Sequence, residues 1–235
     1  MQPTIFITGC DRGLGAALAS LAAARGARVF AGVLDPSLVG TEENSSGGEI
    51  HRIALDVSDG PSVAGAAELV RSYGQSLHIL VNNAGILGDI DSTLFDPLDF
   101  DQMLRVYNVN ALGSLRVTQA FLGLLLAGPR RLVVNVSSEA GSLGACARSS
   151  WYAYAMAKAA LNMQSCLVHN LIKDQGGRVL VVHPGHVRTF MRGEEDTTGA
   201  LSPGEAAQRL WANIERPPGS EGVEFRGPEG ERLPW

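Results

Sequence analysis

Lysine is nearly missing from this 235-residue chain: of 19 basic residues only Lys158 and Lys173 are lysine, and the rest are arginine. A compact ammonium where the chain otherwise uses arginine's planar fork marks Lys158 as a position a guanidinium would not serve. Lys173 reads as a solvated helix charge. Cysteine is scarce too. Cys10, Cys146 and Cys166 are odd in number and lack metal-ligand spacing, so buried free thiols in a reducing cytoplasm are expected and no metal site. The formal net charge is −5 with no long run of either sign, which speaks against the basic face that nucleic-acid binding requires. No basic leader precedes the strand-like run from Thr4 to Thr8. No apolar stretch reaches the ~20 residues that span a bilayer, and the longest, near Ala120 to Ala127, is too short. No repeat, low-complexity segment or linker interrupts the chain. These absences lead to the expectation of a cytoplasmic globular protein, a single domain over residues 1–235, with neither membrane nor nucleic acid as partner.

What is present alternates. Apolar runs at Thr4–Thr8, Arg28–Leu34, Ile50–Leu55, Leu77–Val81, Arg131–Val136, Arg178–Val182 and Val223–Arg226 read as strands, with helical segments between them. Asp59 suits a cap for a helix through Tyr73, a long helix covers Phe100 to Leu126, and Gly176-Gly177 ends a helix that runs to about Asp174. Such alternation predicts an α/β fold: a doubly wound parallel sheet of about seven strands with helices on both faces. Ligands in such folds bind beyond the carboxyl ends of the strands. The motifs fall at those ends or on the helices that follow.

The first such end carries Gly9, Gly13 and Gly15 between a strand and an Ala/Leu-rich helix. Glycines there tighten the turn, let backbone approach a pyrophosphate and let helix pack on strand, while the helix N-terminus offers free N–H groups. Asn82-Asn83-Ala84-Gly85 closes the fourth strand, where the amides can tie loops to backbone. Asn110 lies in mid-helix, where its amide competes for backbone bonds and suggests a local irregularity with a purpose. Tyr154 and Lys158 lie one turn apart on one helical face. A phenol titrates near pH 10, and lowering that to about 7 takes roughly 4 kcal/mol of stabilisation of the phenolate, which a neighbouring ammonium favours. The pair is a plausible acid/base device for a carbonyl or alcohol oxygen.

Taken together, Thr8-Gly9-x-x-x-Gly13-x-Gly15, Asp56, Asn82-Asn83-Ala84-Gly85, Asn110, Ser138, Tyr154-x-x-x-Lys158 and Pro184-Gly185 make the chain resemble the short-chain dehydrogenase/reductase family from end to end. Thr8 to Gly15, Tyr152 to Asn162 and the closing Leu-Pro-Trp235 are similar to its C-factor-like branch, whose relatives include carbonyl reductases. The resemblance implies an NAD(P)-dependent oxidoreductase acting on a small-molecule carbonyl or alcohol. It makes Tyr154 the general acid in reduction and the base in oxidation. Lys158 would hold the nicotinamide ribose and lower the phenol's pKa, Ser138 would bind the substrate oxygen, and Asn110 would hold a water of a proton relay. Cofactor contacts are implied at Gly9, Asp11, Arg12, Gly13, Leu14 and Gly15. Asp56 would meet the adenine and Val57 follows it, while Asn82, Ala84 and Gly85 shape the cleft. Pro184, Gly185, Val187 and Thr189 would face the nicotinamide, as would Tyr154 and Lys158. The family also implies a homodimer or homotetramer through helices near 101–126 and 152–174.

Two departures from the family pattern stand out. Ser138 and Tyr154 are 16 residues apart, so extra residues near Ala145–Ser150 should line or cover the site. The stretch 189–201 is short and polar, a small lid with Gly193 and Gly199 as hinges and an open substrate side. The acid that usually ends the second strand and selects NAD is replaced by Val33 or Leu34, with Asp35 next, and Arg12 could pair with a 2′-phosphate. NADP(H) is therefore favoured over NAD(H). His183 and His186 read as hydrogen-bonded loop residues. A protein that senses dinucleotides without turning them over is the alternative, against which the full set Asn110, Ser138, Tyr154 and Lys158 argues.

Overall fold

The computed structural model describes residues 2–43, 47–74, 76–191, 193, 196–217 and 222–235. Strand β1 (Thr4–Thr8) leads into α1 (Gly13–Ala24) and β2 (Arg28–Val33). Then come β3 (Gly40–Glu43), β4 (Glu49–Ala54), α2 (Gly60–Ser72) and β5 (Ile79–Asn82). Helix α3 (Phe100–Tyr107), a wide π-helical turn over Asn108–Gly113 and α4 (Ser114–Leu126) form one helical run into β6 (Leu132–Val136). Helix α5 (Tyr152–Ile172), β7 (Arg178–Val182), α6 (Pro203–Glu215) and β8 (Glu224–Arg226) complete the order.

The sheet runs β3-β4-β2-β1-β5-β6-β7-β8 and is parallel throughout except where β3 meets β4. The fold class is the expected doubly wound one, with one more strand. That strand, Gly-Thr-Glu-Glu, is exposed at every residue and has no apolar alternation to reveal it; pairing with β4 and an ion pair from Arg52 to Glu42 at 2.6 Å hold it.

Alternation along the buried strands sorts the core into two layers. In β1, Ile5 and Ile7 face α1 and α6 and pack with Leu18, Ala22, Leu210 and Trp211. Phe6 faces the other way, onto Phe121 of α4 at 4.1 Å between ring centres, with Val70 of α2 and Leu125 nearby. Chain order reverses between β1 and β5, so the loops after those strands splay apart and leave a crevice at their carboxyl ends.

Helix ends follow side-chain chemistry. Asp59 accepts from the Ser62 amide and starts α2 as expected, and Ser202 with Glu205 makes a reciprocal cap on α6. Gly176, at φ 75°, turns the chain after α5 and a short 3₁₀ turn.

Two expectations need correction. Taken as one helix, Phe100–Leu126 spans 27 residues and contains an 18-residue window with a mean hydropathy of 1.3, long and apolar enough by length and composition to cross a bilayer. Its Val106, Val117, Phe121 and Leu125 are buried within the fold, as in a core helix. Nor are the thiols all buried. Cys10 is, with burial pushing its pKa up and its Sγ donating to the Ile7 carbonyl at 3.3 Å, whereas Cys146 is exposed.

Candidate active site

The crevice is a cavity of about 1170 Å³, larger than the roughly 300–1,000 Å³ of most small-molecule sites. Its floor is the glycine turn. Gly9 and Gly13 lie at φ 70° and 62°, and a Cβ on Gly9 would stand 2.8 Å from Ala84 Cα. A side chain on Gly15 would enter the Gly9 carbonyl oxygen. The Thr8 hydroxyl accepts the Asn83 and Ala84 amides at 3.0 Å each, and the Asn83 amide reaches back to the Thr8 and Gly9 carbonyls. β1 and β5 are thus stapled at the switch point. No side chain caps α1, so its first N–H groups remain available to an anion beside Gly13 to Gly15, which line the cavity. That cradle fits a dinucleotide's pyrophosphate.

Asp11 lines the cavity but serves the backbone: its Oδ1 accepts both the Leu34 and Asp35 amides at 2.8 Å, holding the end of β2. Asp35 in turn caps Ser37, whose hydroxyl and amide hold the carboxyl below its usual range. Arg12 stacks its guanidinium 5.0 Å over the Phe190 ring, its contact with the loop after β7. Asp56 binds the amide and hydroxyl of Ser58 at 2.8 and 2.6 Å. Leu14, Val57, Gly85, Pro184, Gly185, Val187 and Thr189 all line the same cavity.

Two expected site residues stand behind the lining. Asn82 donates to Thr118 and Asn135 inside the core, at 3.0 and 2.8 Å, and it is Asn83 that reaches the cavity. Asn110 is also outside it. From the π turn it accepts the Ile86 amide at 3.2 Å and donates to the carbonyls of Ile86 at 2.7 Å and Val106 at 3.0 Å. Its amide therefore pins the loop after β5; a Cβ on Gly85 would stand 2.6 Å from Asn110 Oδ1. The expected irregularity is real, and the geometry it creates is this pin.

Ser138, Tyr154 and Lys158 come together at the mouth of β6, all buried and all on the cavity. The Ser138 hydroxyl lies beside the Tyr154 hydroxyl and favours its phenolate form. Lys158 Nζ stands 5.5 Å from the Tyr154 ring centre and donates to the Val136 carbonyl at 2.8 Å. Gly141 lets the turn after Ser138 press on α5, where a Cβ would meet the Lys158 backbone at 2.7 Å. Burial decides the charges. It pushes the phenol up to about 12, against the Ser138 hydroxyl and with a further rise from Glu139, and it brings the ammonium down to about 8. Burial is the largest influence on the phenol, ahead of Ser138 and Glu139.

Leu87, Trp151, Phe190 and Met191 give the cavity apolar walls, with Glu139, Arg148, His183 and His186 among them. Of the extra residues near Ala145–Ser150, Arg148 lines the cavity. Arg192, Glu194 and Glu195 of the expected lid lie outside the described residues. The rest of it folds back: Asp196 binds His186 at 2.9 Å, its amide donates to the Thr189 carbonyl, and Gly199 closes on the Arg188 backbone. Asn83, Glu139 and Asp196 were not foreseen as site groups; only the placement of Asn83 and Glu139 after strand ends could have pointed to them.

The short chain dehydrogenase family model matches residues 3–199. The chain belongs to the short-chain dehydrogenase/reductase family, a family of oxidoreductases. It is 35% identical over 219 residues to retinol dehydrogenase 5 of Homo sapiens, covering 92% of this chain and 64% of that protein. It is 36% identical over 157 residues to the C-signal protein of Myxococcus xanthus, covering 67% and 92% respectively. Its backbone matches the NADPH-bound carbonyl reductase from chicken fatty liver with a TM-score of 0.84 at 25% identity, over 100% of both chains.

Proposed function

We propose that this family member moves a hydride between NADP(H) and a small carbonyl/alcohol pair, with Tyr154 exchanging the proton at the substrate oxygen. One observation carries the reading: a buried, adjoining Ser138–Tyr154 pair and the Lys158 ammonium face the same cavity as an uncapped helix N-terminus and its glycine turn. The nicotinamide, when bound, supplies the hydride. The protein's residues supply everything around it. Gly13 to Gly15 and the start of α1 receive the phosphates. Ser138 holds the substrate oxygen by a hydrogen bond, and Tyr154, protonated at neutral pH because burial raises its pKa, donates to that oxygen as negative charge develops. Lys158 brings positive charge to the same end and has donors left for ribose hydroxyls beyond its bond to Val136. Asn110 acts one step back, by fixing the Ile86 loop.

NADP(H) is favoured by what ends β2. Val33 and Leu34 carry no charge, and the Asp35 carboxylate is engaged by Ser37. The NADPH bound in the chicken carbonyl reductase agrees with this. The exposed Leu104, Leu115, Met163 and Leu167 on α3, α4 and α5 support assembly as a homodimer or homotetramer through those helices. The test is turnover of NADPH with a panel of ketones, aldehydes and quinones, with Tyr154→Phe as control. Tight NADPH binding without turnover in the wild type would set the reading aside in favour of a sensor.

A further inference from the structure

The turn after β6 and the segment before α5 share a contact that the chemistry above does not use. Arg148 sends its two terminal nitrogens to the two Glu139 carboxylate oxygens at 2.8 and 2.7 Å, while its Cζ lies 4.8 Å from the centre of the Trp151 ring. Glu139 directly follows Ser138. Trp151 precedes the first turn of α5 and meets the Tyr154 ring edge-on at 6.0 Å between centres. Trp151 also sits at φ 69° and ψ 27°, a left-handed conformation that a bulky side chain keeps only where its surroundings hold it. No side chain caps α5 to do so; the indole packs against Leu87, Ile90, Ala140 and Tyr154, and the Arg148 guanidinium stacks on it.

We propose that Arg148 is a positioning residue for this reaction: by bridging Glu139 and Trp151 it fixes Ser138 against Tyr154 and neutralises the carboxylate nearest the phenol. The inference rests on the oxidoreductase reading and deepens it. An ordinary surface ion pair contributes little. This one is bidentate, stacked and tied to both neighbours of the catalytic pair. A planar fork can grip a carboxylate with two nitrogens and present its face to an indole, which an ammonium cannot do at once. The charged and titratable groups around the phenol are Glu139 at the end of β6, Lys158 one turn along α5, and His183 at the end of β7, which feels both Glu139 and Arg148. Without Arg148 the Glu139 charge is uncompensated and holds the proton more tightly on Tyr154.

The test compares wild type, Arg148→Lys, Arg148→Ala, Glu139→Gln and the Glu139→Gln/Arg148→Ala double variant, with NADPH and the best small carbonyl, and with the corresponding alcohol and NADP⁺. Arg148→Ala is expected to lower kcat roughly tenfold with KM for the nucleotide unchanged, and to move the limb on which alcohol oxidation rises with pH upward by roughly half a pH unit. Adding Glu139→Gln should bring that limb back, and Arg148→Lys should restore the limb but not kcat. A profile and kcat for Arg148→Ala that superpose on the wild type overturn the proposal. So does a loss of kcat with no movement of the limb, the mark of packing alone. Tyr154→Phe separates the two readings. Should it turn over like the wild type, the role given to Tyr154 fails; should the wild type not turn over, the oxidoreductase reading fails. The bridge is then judged by a double-mutant cycle in melting temperature, where coupling between Glu139→Gln and Arg148→Ala upholds it and additivity overturns it.

Discussion

Lys158 Nζ stands 5.5 Å from the centre of the Tyr154 ring and is anchored by the Val136 carbonyl at 2.8 Å. The anchor is backbone at the end of β6, the same strand end that carries Ser138. One strand terminus therefore sets the positions of all three groups. It also places an ammonium where burial works against its charge.

That burial has a consequence for stability. Lys158 keeps its proton to about pH 10.5 in the unfolded chain but loses it near 8 in the fold, so between those values the unfolded chain binds more protons and stability rises with pH. Relative to Lys158→Met, the wild type should gain about 2–3 kcal/mol between roughly pH 7.5 and 10. Urea unfolding of both proteins across that range measures it, and parallel curves would show that the ammonium is solvated.

Asn110 is expected to matter for the fold before it matters for catalysis. Asn110→Ala leaves the Ile86 amide and carbonyl without their partner in a part-buried loop, a cost of about 1–2 kcal/mol. Chemical denaturation should show that loss, and hydrogen exchange at the Ile86 amide should speed up. An unchanged midpoint would mean the pin is dispensable.

Glycines in this chain divide sharply by surroundings. Gly15→Ala drives a methyl into the Gly9 carbonyl and towards Asn83 Nδ2, whereas Gly65→Ala, on the exposed side of α2, meets nothing within 4 Å. The first should cost about 1–3 kcal/mol and weaken NADPH binding at least tenfold. The second should stabilise by about 0.5–1 kcal/mol with binding unchanged. Melting curves and nucleotide fluorescence titrations on the two variants decide it.

Much of this was legible in the sequence because the elements that make the site obey local rules. The Gly9–Gly15 turn sits between a strand and a helix, and Tyr154 and Lys158 share a helical face, so spacing alone brought them to one crevice. What escaped depended on other segments. Strand β3 has no apolar pattern and exists through its pairing with β4. The direction of the Tyr154 shift depends on how much protein surrounds the ring, which spacing does not report. Asn82 is the last residue of β5 and points into the core, Asn83 is the first beyond it and meets the cavity, and the sequence offered both. Arg148 meets Glu139 because an irregular segment folds back, and irregular segments have no period to read.

The central claim is that Tyr154 handles the proton in an NADP(H)-dependent reaction. The most direct measurement follows nicotinamide absorbance with NADPH and NADH separately, over a panel of small carbonyls, for the wild type and Tyr154→Phe, with nucleotide affinity determined for both. The account predicts turnover that prefers NADPH, a fall in kcat of about 10²–10⁴-fold in the variant, and unchanged nucleotide affinity. Turnover by Tyr154→Phe at the wild-type rate would contradict it.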